Sequence, residues 1–315
     1  MIFGFLNIDK PRGMTSHDVV NHIRRVMRTR QVGHAGTLDP MATGVLVVCV
    51  GAATRLSDYV MSDTKAYRAI VRLGVETDTY DADGKVVVEA DASTVSRQQV
   101  EDALAGFRGD ILQTPPAFSA IKRGGKKLYE LARQGKAVEL PPRPVSIFSL
   151  EVVEWQPSQV TLNVVCSAGT YIRSIAHDLG AALGVGAHLT GLTRTASGDF
   201  QLARATPLDT LIASQDASAY VIAPAAALRH YPRVTLEAAE TDDLRHGRRI
   251  PAGSLLPNGA DDAGGSVVMA FDRNNRLIAV CALRDGGLHP SKVFAETPDD
   301  SAVEDGPAEQ ETDSR

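Results

Sequence analysis

Cysteine is scarce in this 315-residue chain. Cys49, Cys166 and Cys281 are odd in number, and no two form a CxxC pair. That excludes a disulfide-stapled scaffold and argues against structural zinc. Each lies in or beside an apolar run, which points to buried thiols in a reducing compartment. Long apolar runs are missing too. The longest, around Val45–Val50, falls far short of the roughly 20 residues a membrane helix needs. No basic leader with a long apolar stretch precedes Gly4-Phe5-Leu6-Asn7-Ile8, so neither export nor membrane insertion is expected, and the location expected is cytoplasmic. Internal repeats are absent as well. What is present, 43% hydrophobic and 23% charged residues, suits an ordinary globular protein long enough for one large domain and one small one.

The formal net charge of −5, taken alone, argues against a nucleic-acid partner. Its distribution reverses that reading. Residues 296–315 hold eight acids and one base, leaving residues 1–295 at +2. Lys10–Arg30 carries +5, and so does Lys122–Arg143. Such clusters attract phosphates, although a pair of solvated faces is the plain alternative. The acidic tail lacks Phe, Tyr and Trp, and disorder is expected there.

Along the chain, Leu6–Ile8 reads as a strand before a Pro11-Arg12-Gly13 turn. Ser16 is the expected N-cap of an amphipathic helix burying Val19, Val20, Ile23, Val26 and Met27. Val45–Val50 reads as a buried strand. Ala66–Gly74 reads as another, with Val86–Val88 as its partner across an Asp83-Gly84 turn. A helix is expected near Ser96–Gly106, strands at Val145–Glu154 and Gln159–Cys166, a helix over Tyr171–Leu183, and a strand at His188–Thr195. The Pro-, Gly- and Lys-rich stretch 112–144 reads as an excursion from the core. Residues 213–231 read as an Ala-rich linker to a β-rich module over 232–295. Strands and helices mix without strict βαβ alternation. The expected class is α+β, with a mixed, mostly antiparallel sheet over residues 1–212 and a small β-barrel after it.

The segment Gly33-His34-Ala35-Gly36-Thr37-Leu38-Asp39-Pro40-Met41-Ala42-Thr43-Gly44 is the strongest chemical candidate. Glycines free the backbone, and Pro40 biases Asp39 toward an extended conformation. A carboxylate so presented near His34 can serve as nucleophile or general base. Local physics on its own favours an Asp N-cap with Pro at the first helical position. Two other motifs fall away. Placing Gly84 at the sixth position of an EF-hand loop puts Thr79 first and Ala90 twelfth, so Thr77–Gly84 is a turn. Gly124-Gly125-Lys126-Lys127 lacks the spacing of a phosphate-binding P-loop.

The Asp39 segment resembles the catalytic signature of TruB-type pseudouridine synthases, and further blocks match that family in the same order. They are Leu6-Asn7-Ile8-Asp9-Lys10-Pro11-Arg12-Gly13-Met14-Thr15-Ser16, Lys65-Ala66-Tyr67-Arg68, Thr77–Gly84, Gln113–Lys122, and Gly169-Thr170-Tyr171-Ile172-Arg173. The likeness spans roughly residues 4–200. It implies a fold of pseudouridine synthase type and isomerisation of uridine 55 in the T loop of tRNA, with neither cofactor nor metal. It also implies that Asp39 is the catalytic aspartate and Arg173 the arginine paired with it. Tyr67 is the ring that stacks on the target base, which also fits a core strand face shared with Ala69, Val71 and Leu73.

By the same resemblance His34 holds the flipped nucleotide, Tyr171 and Leu192 line the uracil pocket, and Lys10 lies near the active site. Residues 112–144 resemble an RNA-gripping insertion, with Lys122, Arg123, Lys126, Lys127 and Arg133 as phosphate contacts. The module 232–295 is similar to a PUA domain through Gly247–Pro251 and Leu277–Val280. The expected partner is the tRNA T arm, with no guide RNA, no membrane and a monomeric enzyme. Guide-dependent synthases of the dyskerin type share the Asp39 motif but look N-terminally extended, whereas the first motif here begins within ten residues of Met1. A non-catalytic RNA-binding relative is the other alternative, marked by a lost aspartate or arginine. Both Asp39 and Arg173 are present.

Overall fold

The apolar run after Gly44 builds the centre of a large sheet. In the computed structural model, which describes residues 2–61, 64–116, 122–123, 126–127, 141–255 and 266–294, this run is β3 (Thr43–Val50), with Gly44 through Val50 all buried. A strand covered on both faces has no use for polar alternation. It pairs antiparallel with β1 (Gly4–Lys10) and with the short β2 (Val32–His34). Helix α1 (Ser16–Val26) buries Val19, Val20 and Ile23 in the same core as Leu6, Ile8, Leu46 and Val48. Its cap is Thr15, not Ser16: the Thr15 hydroxyl accepts from the Asp18 amide, and the Asp18 carboxylate accepts from the Thr15 amide. Ser16 is buried and has other work, described below.

The sheet order is β14 (Thr206–Pro207), β1, β3, β12 (Ala187–Ser197), β4 (Lys65–Leu73), β11 (Gln159–Cys166), β10 (Arg143–Gln156) and β7 (Gly109–Gln113). Only β1/β14 and β3/β12 run parallel along this path, so the sheet is mixed and mostly antiparallel, as expected. β13 (Phe200–Gln201) pairs with β12. Alternate residues of β4, Ala69, Val71 and Leu73, enter the core, with Tyr67 packed against it. The partner expected for this strand is different: β4 lies between β11 and β12. Gly74, at φ +85°, breaks the strand, and β5 (Val75–Thr77) pairs instead with β6 (Val86–Glu89).

Helix α2 (Ser57–Met61) follows β3 after a 3-10 turn. Helix α3 (Arg97–Ala105) and helix α4 (Ile172–Ala182) pack on the core. The excursion after β7 contributes two described strands, β8 (Lys122–Arg123) and β9 (Lys126–Lys127), paired as a short ribbon. Arg133 lies outside the described residues.

The chain divides into two compact units, one ending at Leu228 and one running from Arg229. The stretch expected as a linker therefore belongs largely to the first. Helix α5 (Leu208–Ala213) and helix α6 (Pro224–Ala227) bury Leu208, Leu211, Ala225 and Ala227, and Ile222 bridges to Phe5 of β1. In the second unit, β15 (Arg233–Thr235), helix α7 (Ala238–Arg245), β16 (Ile250–Pro251), β17 (Ser266–Phe271), β18 (Leu277–Arg284) and β19 (Gly287–Val293) surround a core that includes Val234, Leu244, Val268, Cys281 and Leu288. Its five strands run in the order β15-β17-β18-β19-β16. All three cysteines are buried and free, and burial pushes the Cys49 and Cys281 thiols up to about 12 and Cys166 to about 11. Such thiols are inert packing groups.

Candidate active site

Asp39 hangs between two anchored flanks. Before it, the Ser16 hydroxyl accepts from the Leu38 amide at 2.8 Å and donates to the Leu38 carbonyl at 3.1 Å. After it, the Pro40 carbonyl accepts from the Gly13 amide at 2.8 Å and from the Lys10 ammonium at 3.4 Å. The Ala42 amide then closes a turn on the Asp39 carbonyl, and the chain enters β3. Pro40 thus opens a turn and not a helix, which disposes of the helix-cap reading. The Leu6–Ser16 block acts as the cradle of this loop.

Arg173, the second residue of α4, reaches the carboxylate from the other side. Its Nε lies 2.9 Å from Asp39 Oδ2, and its Nη2 donates to Oδ1 at 3.2 Å. Its Nη1 donates to the Thr79 carbonyl at 3.1 Å and lies 3.3 Å from Asp81 Oδ2. Arg173 is 5% exposed, so one buried guanidinium serves two carboxylates. Asp81 is in turn held by the Thr79 hydroxyl at 2.6 Å and the Asp83 amide at 3.1 Å. The turn 77–84 is therefore part of the site. The start of α4 lacks a side-chain cap, and a different device fixes it. The Gln113 side chain accepts from the Tyr171 amide and donates to the Tyr171 carbonyl, and Ser174 donates to the Thr114 carbonyl.

These groups enclose a cavity of about 530 Å³, within the usual range for ligand pockets, lined among others by Asp39, Tyr67, Tyr171, Arg173, Leu192 and Arg194. Five of these six were expected; Arg194 was not. Asp81 and Gln113 were also missed as site residues. His34 and Lys10 do not line the cavity. His34 sits in β2 opposite Val48, and burial, with Arg194 nearby, pushes its imidazole toward the neutral form. Lys10 is fully buried, donates to the Pro11 carbonyl at 2.8 Å, and supports the loop from behind. Burial lowers its ammonium to about 8. Among the described residues, no group of three or more His, Cys, Asp or Glu side chains is placed to hold a metal.

Burial holds the Asp39 carboxyl above the ordinary carboxylate range, against the opposing pull of Arg173, and Asp81 adds to the rise. Chemistry that uses the ionised form should therefore fail at higher pH than an exposed aspartate would dictate. Single-turnover rates measured against pH are expected to fall on acidification through an apparent pKa above 3.8. An acid limb at or below that value would contradict this picture of the site.

Residues 24–172 match the family described as "TruB family pseudouridylate synthase (N terminal domain)", and residues 173–230 match "tRNA pseudouridylate synthase B C-terminal domain". The chain is 51% identical over 247 residues to a tRNA pseudouridine synthase B of Symbiobacterium thermophilum, covering 78% of this chain and 82% of the relative. It is 46% identical over 292 residues to that of Mycobacteroides abscessus, covering 90% and 97%. Among solved structures, a chain of a Cbf5-Nop10-Gar1 complex superposes with a TM-score of 0.72 at 28% identity, covering 93% of this chain and 85% of that one.

Proposed function

The chain belongs to the TruB family of pseudouridylate synthases, and on that premise we propose that it isomerises uridine 55 in the T loop of tRNA to pseudouridine through Asp39. The observation that carries the reading is the Arg173 clamp on Asp39 in a cavity walled by Tyr67, Tyr171 and Leu192. The reaction breaks the bond from uracil N1 to the ribose, turns the base, and rejoins it through C5. The C5 hydrogen is lost as a proton and N1 gains one, so the step is a net isomerisation and needs no redox partner. Whether the carboxylate first attacks the sugar or takes a proton from it, the ionised form acts. Arg173 orients that form and supplies its countercharge.

A stacked base is out of reach, so the uridine must flip into the cavity. Unstacking costs on the order of a few kcal/mol. The Tyr67 ring stacking on the base and phosphate contacts elsewhere offset it. We assign those contacts to the 112–144 insertion, through Lys122, Arg123, Lys126, Lys127 and Arg133. Replacing Lys126 and Lys127 together by Ala is expected to weaken tRNA binding and to flatten the plot of log Kd against log salt by about 1 to 2. An unchanged slope in a filter-binding titration would remove these lysines from the interface. The module 232–295 is assigned as a PUA-like RNA-binding domain, and the enzyme is taken to act in the cytoplasm as a monomer on the T arm.

The decisive experiment is mapping pseudouridine in an unmodified tRNA transcript after incubation with the purified protein alone. Modification at position 55 supports the reading. Modification that appears only with an added guide RNA complex would favour a guided enzyme instead.

A further inference from the structure

Arg194 is 1% exposed and is the largest of the fully buried side chains. Among the described residues no carboxylate pairs with it. Its partners are main-chain carbonyls: Nε donates to Val45 at 2.6 Å, Nη2 to Gly36 at 3.2 Å and Nη1 to Thr37 at 3.4 Å. A buried cation facing carbonyls is a costly way to fill a core, and an aliphatic residue would pack there without charge. What an aliphatic residue cannot do is satisfy three converging acceptors from two segments at once. The planar, five-donor fork of arginine can.

The strands fix that fork in place. Arg194 stands opposite Gly44 in the parallel β12/β3 pair and opposite Tyr67 in the antiparallel β12/β4 pair. Gly44 has φ +94°, and a Cβ there would collide with the Arg194 carbonyl, so the backbone under the guanidinium has no freedom to retreat. The bonded carbonyls of Gly36 and Thr37 lie three and two residues before Asp39. Val45 lies in the buried run after it. The single residue therefore binds both ends of the Asp39 loop from a strand position opposite Tyr67.

We propose that Arg194 is a positioning residue for the reaction, tying both flanks of the Asp39 loop to strand β12 beside Tyr67 so that carboxylate and ring meet the target base as one rigid unit. The proposal rests on the pseudouridine synthase reading. Modification of a tRNA transcript by the unaltered protein is therefore measured first, and its absence would count against that reading rather than against Arg194. Arg194→Lys keeps the charge and the aliphatic stem but replaces the fork by one nitrogen. Arg194→Met fills the space with no donor.

Misplacement of a reacting group by about 1 Å costs on the order of 100-fold in rate. The single-turnover rate of Arg194→Lys is thus expected to fall about 50-fold or more, with tRNA Kd within about 3-fold of the unaltered protein. Arg194→Met should lose at least as much. A purely structural role would lower rate, binding and thermal midpoint together. Rates within about 3-fold of the unaltered protein, or parallel losses of rate and binding, would overturn the proposal. So would failure of both variants to give a cooperative thermal transition, which would assign Arg194 to the fold.

Discussion

Asp39→Asn is expected to abolish pseudouridine formation, lowering the single-turnover rate by about 10⁴-fold or more, while tRNA binding stays within a few-fold of the unaltered enzyme. Asparagine keeps the shape of the side chain and its place in the Asp39–Pro40 turn, whose anchors are the backbone of Leu38, Pro40 and Ala42 and not the carboxylate. It removes only the charge and basicity that attack on the sugar, or proton removal from it, requires. Stability should not fall with activity. Burial raises the Asp39 pKa in the folded protein above its unfolded value, so its contribution is favourable below about 3.8 and is lost as pH rises through the folded value. At neutral pH the ionised carboxylate is therefore a burden on the fold, and the Asn variant should melt no lower than its parent. That advantage should shrink as the pH is brought down to the acid range. Persisting modification, measured with radiolabelled uridine in tRNA, would remove Asp39 from the chemistry. A large drop in melting temperature would mean that the carboxylate is a structural tie.

Much of this site is legible in the sequence, because the groups that line it sit in contiguous blocks that resemble those of the TruB family. Asp39 lies in a Gly- and Pro-marked loop, Tyr67 on a strand with clear alternation, and Arg173 at the start of an amphipathic helix. Each block yields its element from its local pattern, and the ordered resemblance supplies its candidate. What was not legible depends on partners far away in the chain. Asp81 looks like an acidic turn residue until α4, nearly a hundred residues later, brings Arg173 against it. Arg194 reads as one more strand residue. Only the register of β12 between β3 and β4 turns its side chain under the Asp39 loop. Ser16 reads as a cap because it precedes an apolar period, yet Thr15 has the geometry and Asp18 the reciprocal bond. The one available signal was Asp three residues after Thr15, a spacing that fits the capping box read one residue earlier. His34 and Lys10 were placed at the substrate by resemblance. Neither lines the cavity: Lys10 is buried and donates to the Pro11 and Pro40 carbonyls, and burial pushes the His34 imidazole toward the neutral form.

The same nonlocality sets the size of the second effect. Arg173→Met is expected to lower the single-turnover rate by about 10³-fold and to destabilise the fold as well, since breaking a buried ion pair from one side costs about 3–5 kcal/mol. Two carboxylates share this guanidinium, and both are left without it. Loss of the cation removes the main influence opposing the burial-driven rise of the Asp39 pKa, so the folded value moves further up. Stability of the variant should then decline as pH rises toward neutrality and recover on acidification, when Asp39 takes up a proton. The acid limb of its residual activity should move to higher pH in step.

Arg173→Lys keeps a charge but cannot span both carboxylates and the Thr79 carbonyl from one nitrogen. It should preserve more stability than activity. The discriminating measurement is the double variant Asp39→Asn with Arg173→Met. If the stability cost of Arg173→Met comes from uncompensated carboxylates, removing one of them in advance should make that cost smaller, as a thermal denaturation cycle reads directly. An undiminished cost would place the role of Arg173 in packing the start of α4. The network of Asp39, Arg173 and Asp81 would then be a consequence of the fold rather than the device that readies Asp39 for the uridine.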